Sequence, residues 1–208
     1  MGVPTGGEQL GPVWLAWAAP GTLDASTVST LDQTRLAGFN PVRQQAFRTG
    51  RALLTRLVEP LAPPTSPWQM TTAPCQHCGQ PHGPVTVIGA AVEVSVSYST
   101  GIVVAAAASS SEVGRLGVDV EVDRPDPDRD AHLRGLLGDS PESALRRWCR
   151  VEAVLKADGR GLRIDPGAVR LPDPRFDVRD AVGPPGFLIS LAWTSTAASA
   201  TRCGAATR

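Results

Sequence analysis

The chain is 208 residues long, 42% apolar, and carries a formal net charge of zero. It can bury the core of one large domain or two small ones, while the balanced charge argues against a broad electrostatic footprint for nucleic acid. No stretch reaches the ~18 uninterrupted apolar residues needed to cross a bilayer.

Residues 1–12 show no basic segment followed by an apolar run, so no secretory signal is expected. The four cysteines, Cys75, Cys78, Cys149 and Cys203, are too few for a disulfide scaffold, which makes a reducing cytoplasm the natural setting. Proline and glycine punctuate the chain at 60–67, 79–84, 123–127 and 183–186, with no long low-complexity tract and no short-period repeat.

Val13 to Ala18 predicts a first strand, and residues 23–36 a loop or short helix. Asn40 and Pro41 supply an N-cap and an N1 residue, so a helix is expected from there to about Val58, stopped before Pro60. Ala46, Leu53, Leu54 and Leu57 form its apolar stripe. Arg43, Arg48, Arg51 and Arg56 fall mostly off that stripe, as a solvated face or as a basic rim for a phosphorylated ligand. Cys75-Gln76-His77-Cys78 has half of a zinc-knuckle spacing. Four ligands are required, and the other donors, His82, His132, Cys149 and Cys203, form no second pair. Residues 79–84 read more simply as a tight loop.

Val92 to Tyr98 alternates strictly, the pattern of a half-buried strand with Val92, Val94 and Val96 toward the core and Glu93, Ser95 and Ser97 away from it. Ser99-Thr100-Gly101 turns the chain into a buried small-residue strand, Ile102 to Ala108. Leu116 to Val122 is the next strand. Side chains two apart share a face, so Asp119 and Glu121 are paired opposite Val118, Val120 and Val122. That pair is either a solvated strand face or a hard-cation site, since Mg²⁺ is commonly held by one or two carboxylates plus substrate phosphates. The acidic, proline-broken run 123–130 reads as a surface loop.

Ser140-Pro141 predicts the start of the main helix, which ends near Asp158-Gly159 with the glycine as C′ residue. Trp148, Val151 and Leu155 form its inward stripe, with Glu152 and Lys156 at the margin. Short strands are expected at 168–171 and 176–178, a core strand over 186–193, and a frayed tail from Thr194. Lys156 is the only lysine among twenty basic residues. It stands one helical turn after Glu152, on the same face. The two form either an ordinary exposed ion pair or part of a site that needs a compact point charge where an arginine fork would not serve.

Gly117-Val118-Asp119-Val120-Glu121, followed about thirty residues later by Trp148 through Lys156, resembles the 4′-phosphopantetheinyl transferases of the Sfp type. The likeness lies in their G-[IV]-D-x-E strand and W-x-x-[KR]-E-A-x-x-K helix, in the same order and spacing. Arg48-Thr49 before Gly50-Arg51 is similar to the family's coenzyme-touching helix, Cys75 to Gly83 to its C-x-x-C-G-x-P-H-G loop, and Ser95 to Gly101 to its S-H-S-x-G turn. Residues 186–192 resemble its last strand. In outline the likeness spans residues 10–195, with two sharp motifs.

The resemblance implies an α+β fold built as a pseudo-twofold pair of similar halves, 1–110 and 111–208, each a helix packed on a small, mostly antiparallel sheet. Together they would make one functional domain with the active site at their interface. It implies transfer of the 4′-phosphopantetheine arm of coenzyme A to a serine of an apo acyl, polyketide or peptidyl carrier protein, releasing adenosine 3′,5′-bisphosphate. Asp119, Glu121 and Glu152 would hold Mg²⁺ or Mn²⁺. Glu152 and Lys156 would be catalytic, the one accepting the serine proton and the other neutralising the diphosphate. Coenzyme contacts would come from Arg43, Arg48, Thr49, Arg51, His82, Ser97, Tyr98, Asp119 and Lys156. A cytoplasmic monomer, with no nucleic acid or membrane partner, is expected.

Three positions depart from the pattern. Tyr98 stands where the family has a histidine, Pro84-Val85 where a basic residue follows the Pro-His-Gly loop, and Val151 where a basic residue precedes the glutamate. Poorer coenzyme affinity or a shifted acceptor preference is therefore expected. Two other readings stay open: a degenerate relative that binds coenzyme A or a carrier protein without turnover, and an unrelated Mg²⁺-dependent phosphoesterase built on the Asp-x-Glu pair.

Overall fold

A computed structural model of the chain describes residues 3, 5–25, 28–65, 67–75, 78–80, 82–160 and 163–196. Gln76, His77, Cys203 and the part of the expected frayed tail from 197 on lie outside the described residues, while Thr194 and Ser195, assigned to that tail, belong instead to the last strand. The order of elements is β1 (Gly6–Leu10), β2 (Val13–Ala18), α1 (Thr30–Ala37), α2 (Pro41–Val58), β3 (Gln69–Thr72), β4 (Val85–Ile88), β5 (Val92–Ser99), β6 (Ile102–Ser109), β7 (Val113–Val122), α3 (Pro127–Leu137), α4 (Ala144–Asp158), β8 (Asp177–Ala181) and β9 (Phe187–Ser195). The fold is mixed α+β, with antiparallel sheets ordered β1-β2-β6-β5, β3-β4 and β7-β9-β8.

Strand periodicity explains how the sheets stack. Ile102, Val104 and Ala106 on one face of β6 share a core with Val13 and Leu15 of β2, Val118 and Val120 of β7, and Ile189 and Leu191 of β9. The alternate residues Val103 and Ala105 face outward, against Leu53 and Leu54 of α2. In the same way Ala192, on the outward face of β9, meets Val151, Val154 and Leu155 of α4. Each of the two larger sheets thus carries one long helix on its outer face.

Helix α2 begins and ends as its sequence dictates: Asn40 accepts the Arg43 N–H, with Pro41 in the first turn. Helix α4 ends as expected on Gly159, at φ 80°, but starts three residues later than Ser140-Pro141 suggests. Ser143, and not Ser140, accepts the N–H of the residue three positions on, Arg146; Ser140 Oγ accepts from Glu142 instead.

Other expectations are corrected. The run 123–130 is only partly loop, because Asp126 caps α3 by accepting the Arg129 N–H, and Pro127 opens the helix. Residues 168–171 make no strand; a 3₁₀ turn spans Pro166–Ala168. Strand β5 is not half-buried. Ser95 and Ser97 are 7% and 4% exposed, because β7 lies alongside the face that alternation assigned to solvent. Val118 N–H donates to Ser95 Oγ at 3.0 Å, and Ser97 Oγ donates to Asp119 Oδ1 at 2.9 Å. No described helix is long and apolar enough to cross a membrane.

Candidate active site

The close approach of α4 to β7 begins with Gly117. A Cβ at that position would lie 2.0 Å from Ala153 O and 2.5 Å from Ala157 N. Only a hydrogen side chain lets the helix settle that close to the strand. Ala153 immediately follows Glu152 and Ala157 immediately follows Lys156, so the contact sets the helix residues of interest over the strand that bears Asp119 and Glu121.

Lys156 does not pair with Glu152. Its ammonium donates to Asp119 Oδ1 at 2.6 Å, Ser97 Oγ at 2.8 Å and Val118 O at 3.1 Å. Three acceptors occupy its three donors. Asp119 is 5% exposed; Oδ1 carries the Lys156 and Ser97 bonds, while Oδ2 is buried with no hydrogen-bond partner among the described residues. Glu121 accepts from Trp148 Nε1 at 3.1 Å. Burial raises the Glu121 pKa and the Asp119 charge raises it further, against the Trp148 bond. Burial also raises Glu152, where Lys156 pulls down and Asp119 pushes up. Asp119 is therefore felt electrostatically by both glutamates. The three carboxylates are not drawn together, however: they are not among the groups whose ligand atoms all lie within 4.8 Å of one another.

Beside this cluster lies a cavity of about 840 Å³, walled by α1, α2, β5, Cys75, residues 82–85 and the C-terminal end of α4. Lys156, Arg43, Arg51, His82 and Tyr98 line it. Arg35, Arg160 and Arg163 line it too; no motif along the chain joins α1 to the stretch after α4. Arg51 is 3% exposed and is held by Asp32, Nε to Oδ2 at 2.7 Å and Nη2 to Oδ1 at 3.1 Å. Thr72 receives a bond from Arg35 Nη1 at 2.6 Å and donates to Asp32 Oδ1 at 2.8 Å. Burial, then Arg51, lowers the Arg35 pKa. Arg43 stacks over Phe39, 4.2 Å from the ring centroid.

Two residues expected to touch the coenzyme are placed elsewhere. Thr49 is wholly buried and holds the 21–23 loop, accepting from Gly21 N–H and donating to Leu23 O, both at 2.9 Å. Arg48 makes a surface contact with Asp24 at 3.6 Å and does not line the cavity. Both follow from helical phase, which turns positions 48 and 49 away from Arg43 and Arg51. Ser97 also stays behind the wall, bridging Lys156 and Asp119. Tyr98 is 42% exposed, yet its hydroxyl end is tucked against the α2 backbone: a Cβ at Gly50 would come within 2.7 Å of it. Burial raises its pKa over the opposing effect of Arg51, so the phenol is a neutral hydrogen-bonding group. Arg150 is turned outward, bonded to Asp180 at 2.7 and 3.0 Å.

The 75–83 segment gathers more than its sequence showed. Cys75, Cys78 and His82 bring two sulfurs and an imidazole nitrogen all within 4.8 Å of one another. Cys149 is far from this role, buried in the core against Leu188.

No family model matches the chain, and no curated protein matches it.

Proposed function

We propose that this protein is a 4′-phosphopantetheinyl transferase, moving the phosphopantetheine arm of coenzyme A to the serine of an apo carrier protein. The observation that carries the reading is the seating of α4 on β7 across Gly117, which joins Lys156 to Asp119 at 2.6 Å and leaves Lys156 on the wall of an arginine-lined cavity, with Asp119, Glu121 and Glu152 behind that wall. An 840 Å³ space is within the range that takes a cofactor-sized ligand, and the arginines suit a molecule that carries phosphates at both ends of a ribose.

Asp119, Glu121 and Glu152 offer the oxygen donors that a hard divalent cation takes, and binding one would require them to move closer than they stand. Asp119 Oδ2 is a buried acceptor without a donor, and two neighbouring carboxylates carry raised pKa values that a cation would relieve. Bound Mg²⁺ would supply charge neutralisation at the diphosphate. Lys156 fixes Asp119 and adds a positive charge at the cavity wall. Glu152, a stronger base for its burial, accepts the carrier serine proton as the serine oxygen bonds to the β-phosphorus. The phosphoanhydride bond breaks, and adenosine 3′,5′-bisphosphate leaves.

The reading brings with it a pseudo-twofold relation of halves 1–110 and 111–208. Its support is one long helix on each larger sheet, α2 and α4. A single chain then suffices, so a cytoplasmic monomer acting on cytoplasmic carriers is part of the proposal.

A second reading has its own support. The Lys156 donors are all engaged and the three carboxylates stand apart, as in a protein that binds coenzyme A without turnover. Incubation with coenzyme A, Mg²⁺ and a panel of apo carriers, followed by intact-mass analysis of the carriers, separates the two. Mass gain supports transfer; coenzyme binding without mass gain supports the binder.

A further inference from the structure

We propose that Cys75, Cys78 and His82 form a zinc site, separate from the carboxylate cluster and independent of the transferase reading. The turn that makes it is closed by backbone bonds. Gly79 N–H donates to Cys75 O and Cys75 N–H to Gln80 O, both at 2.8 Å, and Gly83 N–H returns to Ala73 O at 3.1 Å. Gly79 takes φ 71°, a left-handed conformation that glycine adopts without penalty. These bonds hold Cys75 beside Gly79 and Gln80 and bring in His82 from four residues beyond Cys78.

The donor set decides the metal. Two sulfurs and one imidazole nitrogen are ligands for Zn²⁺, which binds them at about 2.3 Å and 2.0–2.1 Å in a tetrahedron. Ligand atoms on such a tetrahedron stand roughly 3.3–3.8 Å apart, so a group already gathered within 4.8 Å needs little adjustment. Mg²⁺ prefers oxygen donors and is rejected here. Cys78 Sγ lies 3.0 Å from His82 Nε2, although both residues are exposed. Binding converts two thiols to thiolates and releases their protons. Because Cys78 and His82 are exposed, the fourth position is open to water. Cys75 and His82 both line the large cavity, so the ion would stiffen one of its walls and make His82 a zinc ligand instead of a direct coenzyme contact.

The test uses the full chain, produced with zinc in the medium and purified under thiol reductant without chelator. Elemental analysis should find close to one zinc per chain. Replacement by Co²⁺ should give the thiolate charge-transfer band and the intense visible bands of a tetrahedral site. Cys78→Ser and His82→Gln, both at exposed positions and checked for folding by circular dichroism, should each lose most of the metal and change the Co²⁺ spectrum. Asp119→Asn should keep it. Wild-type zinc content no higher than that of Cys78→Ser, or a Co²⁺ spectrum of octahedral, sulfur-free character, would overturn the proposal. Zinc retained by a chain that transfers no phosphopantetheine would uphold this site while removing the transferase reading.

Discussion

Lys156 Nζ sits 2.6 Å from Asp119 Oδ1, so the one lysine of the chain is bound across the helix–strand seam and not to Glu152 one turn before it. The ion pair ties α4 to β7 at the position where the chemistry is proposed to occur. Asp119 is almost fully buried and Lys156 is 31% exposed at its side chain, so the pair is partly screened but its acid is not.

Removing that cation should therefore strand a buried carboxylate. Lys156→Ala is expected to destabilise the fold by on the order of 1–3 kcal/mol, and Asp119→Asn in the same chain should recover part of the loss. Urea denaturation of the two single variants and the double variant measures this coupling. Lys156→Arg should fold but transfer poorly, since a planar fork cannot reach Asp119, Ser97 and Val118 O together.

The raised pKa values of Glu121 and Glu152 give a signed pH dependence. A carboxyl that holds its proton more tightly when folded favours folding below its unfolded pKa. That contribution is lost as pH rises through the folded pKa. At neutral pH both anions thus oppose folding. Glu121→Gln and Glu152→Gln should each raise the metal-free Tm by about 2–4 °C, the equivalent of roughly 1 kcal/mol in a chain of this size, while abolishing transfer. Mg²⁺ should raise the wild-type Tm and leave the variants nearly unmoved. Scanning calorimetry at several pH values with and without Mg²⁺ reads both effects.

Two glycines should respond in opposite directions to the same substitution. Gly117→Ala drives a methyl into the Ala153 carbonyl and should cost about 3 kcal/mol or more, with loss of activity as α4 lifts from β7. Gly135→Ala, inside α3 with nothing within 4 Å of its added Cβ, should stabilise by about 0.4–1 kcal/mol. Chemical denaturation compares the two directly.

The proposed coenzyme contacts can be sorted by KM. Arg43→Ala, which removes a cation from the cavity wall, should raise the coenzyme KM by about tenfold, near 1.4 kcal/mol of lost binding. Arg48→Ala, paired with Asp24 outside the cavity, should leave it within about twofold. Under the proposed reading Tyr98→His should lower KM, because it would place a side chain able to carry positive charge on the cavity wall; an unchanged KM would argue that Tyr98 serves the cavity as it stands.

Much of this arrangement could be read along the chain, where local chemistry decides the outcome. The Asn40-Pro41 start of α2, the Gly159 stop of α4 and the alternation of β7 each depend on a few adjacent residues. Helix α3 was hidden because only Leu133 and Leu137 give it a buried face, too little to show a period in an Asp/Arg-rich run. Strand β5 deceived because alternation reports polarity and not burial: Ser95 and Ser97 are polar yet interior, each bonded to β7. The approach of His82 to Cys78, the bond from Lys156 to Asp119 and the placing of Arg35 and Arg160 on one cavity depend on tertiary closure, for which no spacing along the chain is a guide.

Intact-mass analysis of apo carrier proteins after incubation with the chain, coenzyme A and Mg²⁺ tests the central claim most directly. A gain of one phosphopantetheine on at least one carrier, abolished by Glu152→Gln and by removal of the divalent cation, is the expected result. Unmodified carriers throughout, from a folded protein that binds coenzyme A, would contradict it.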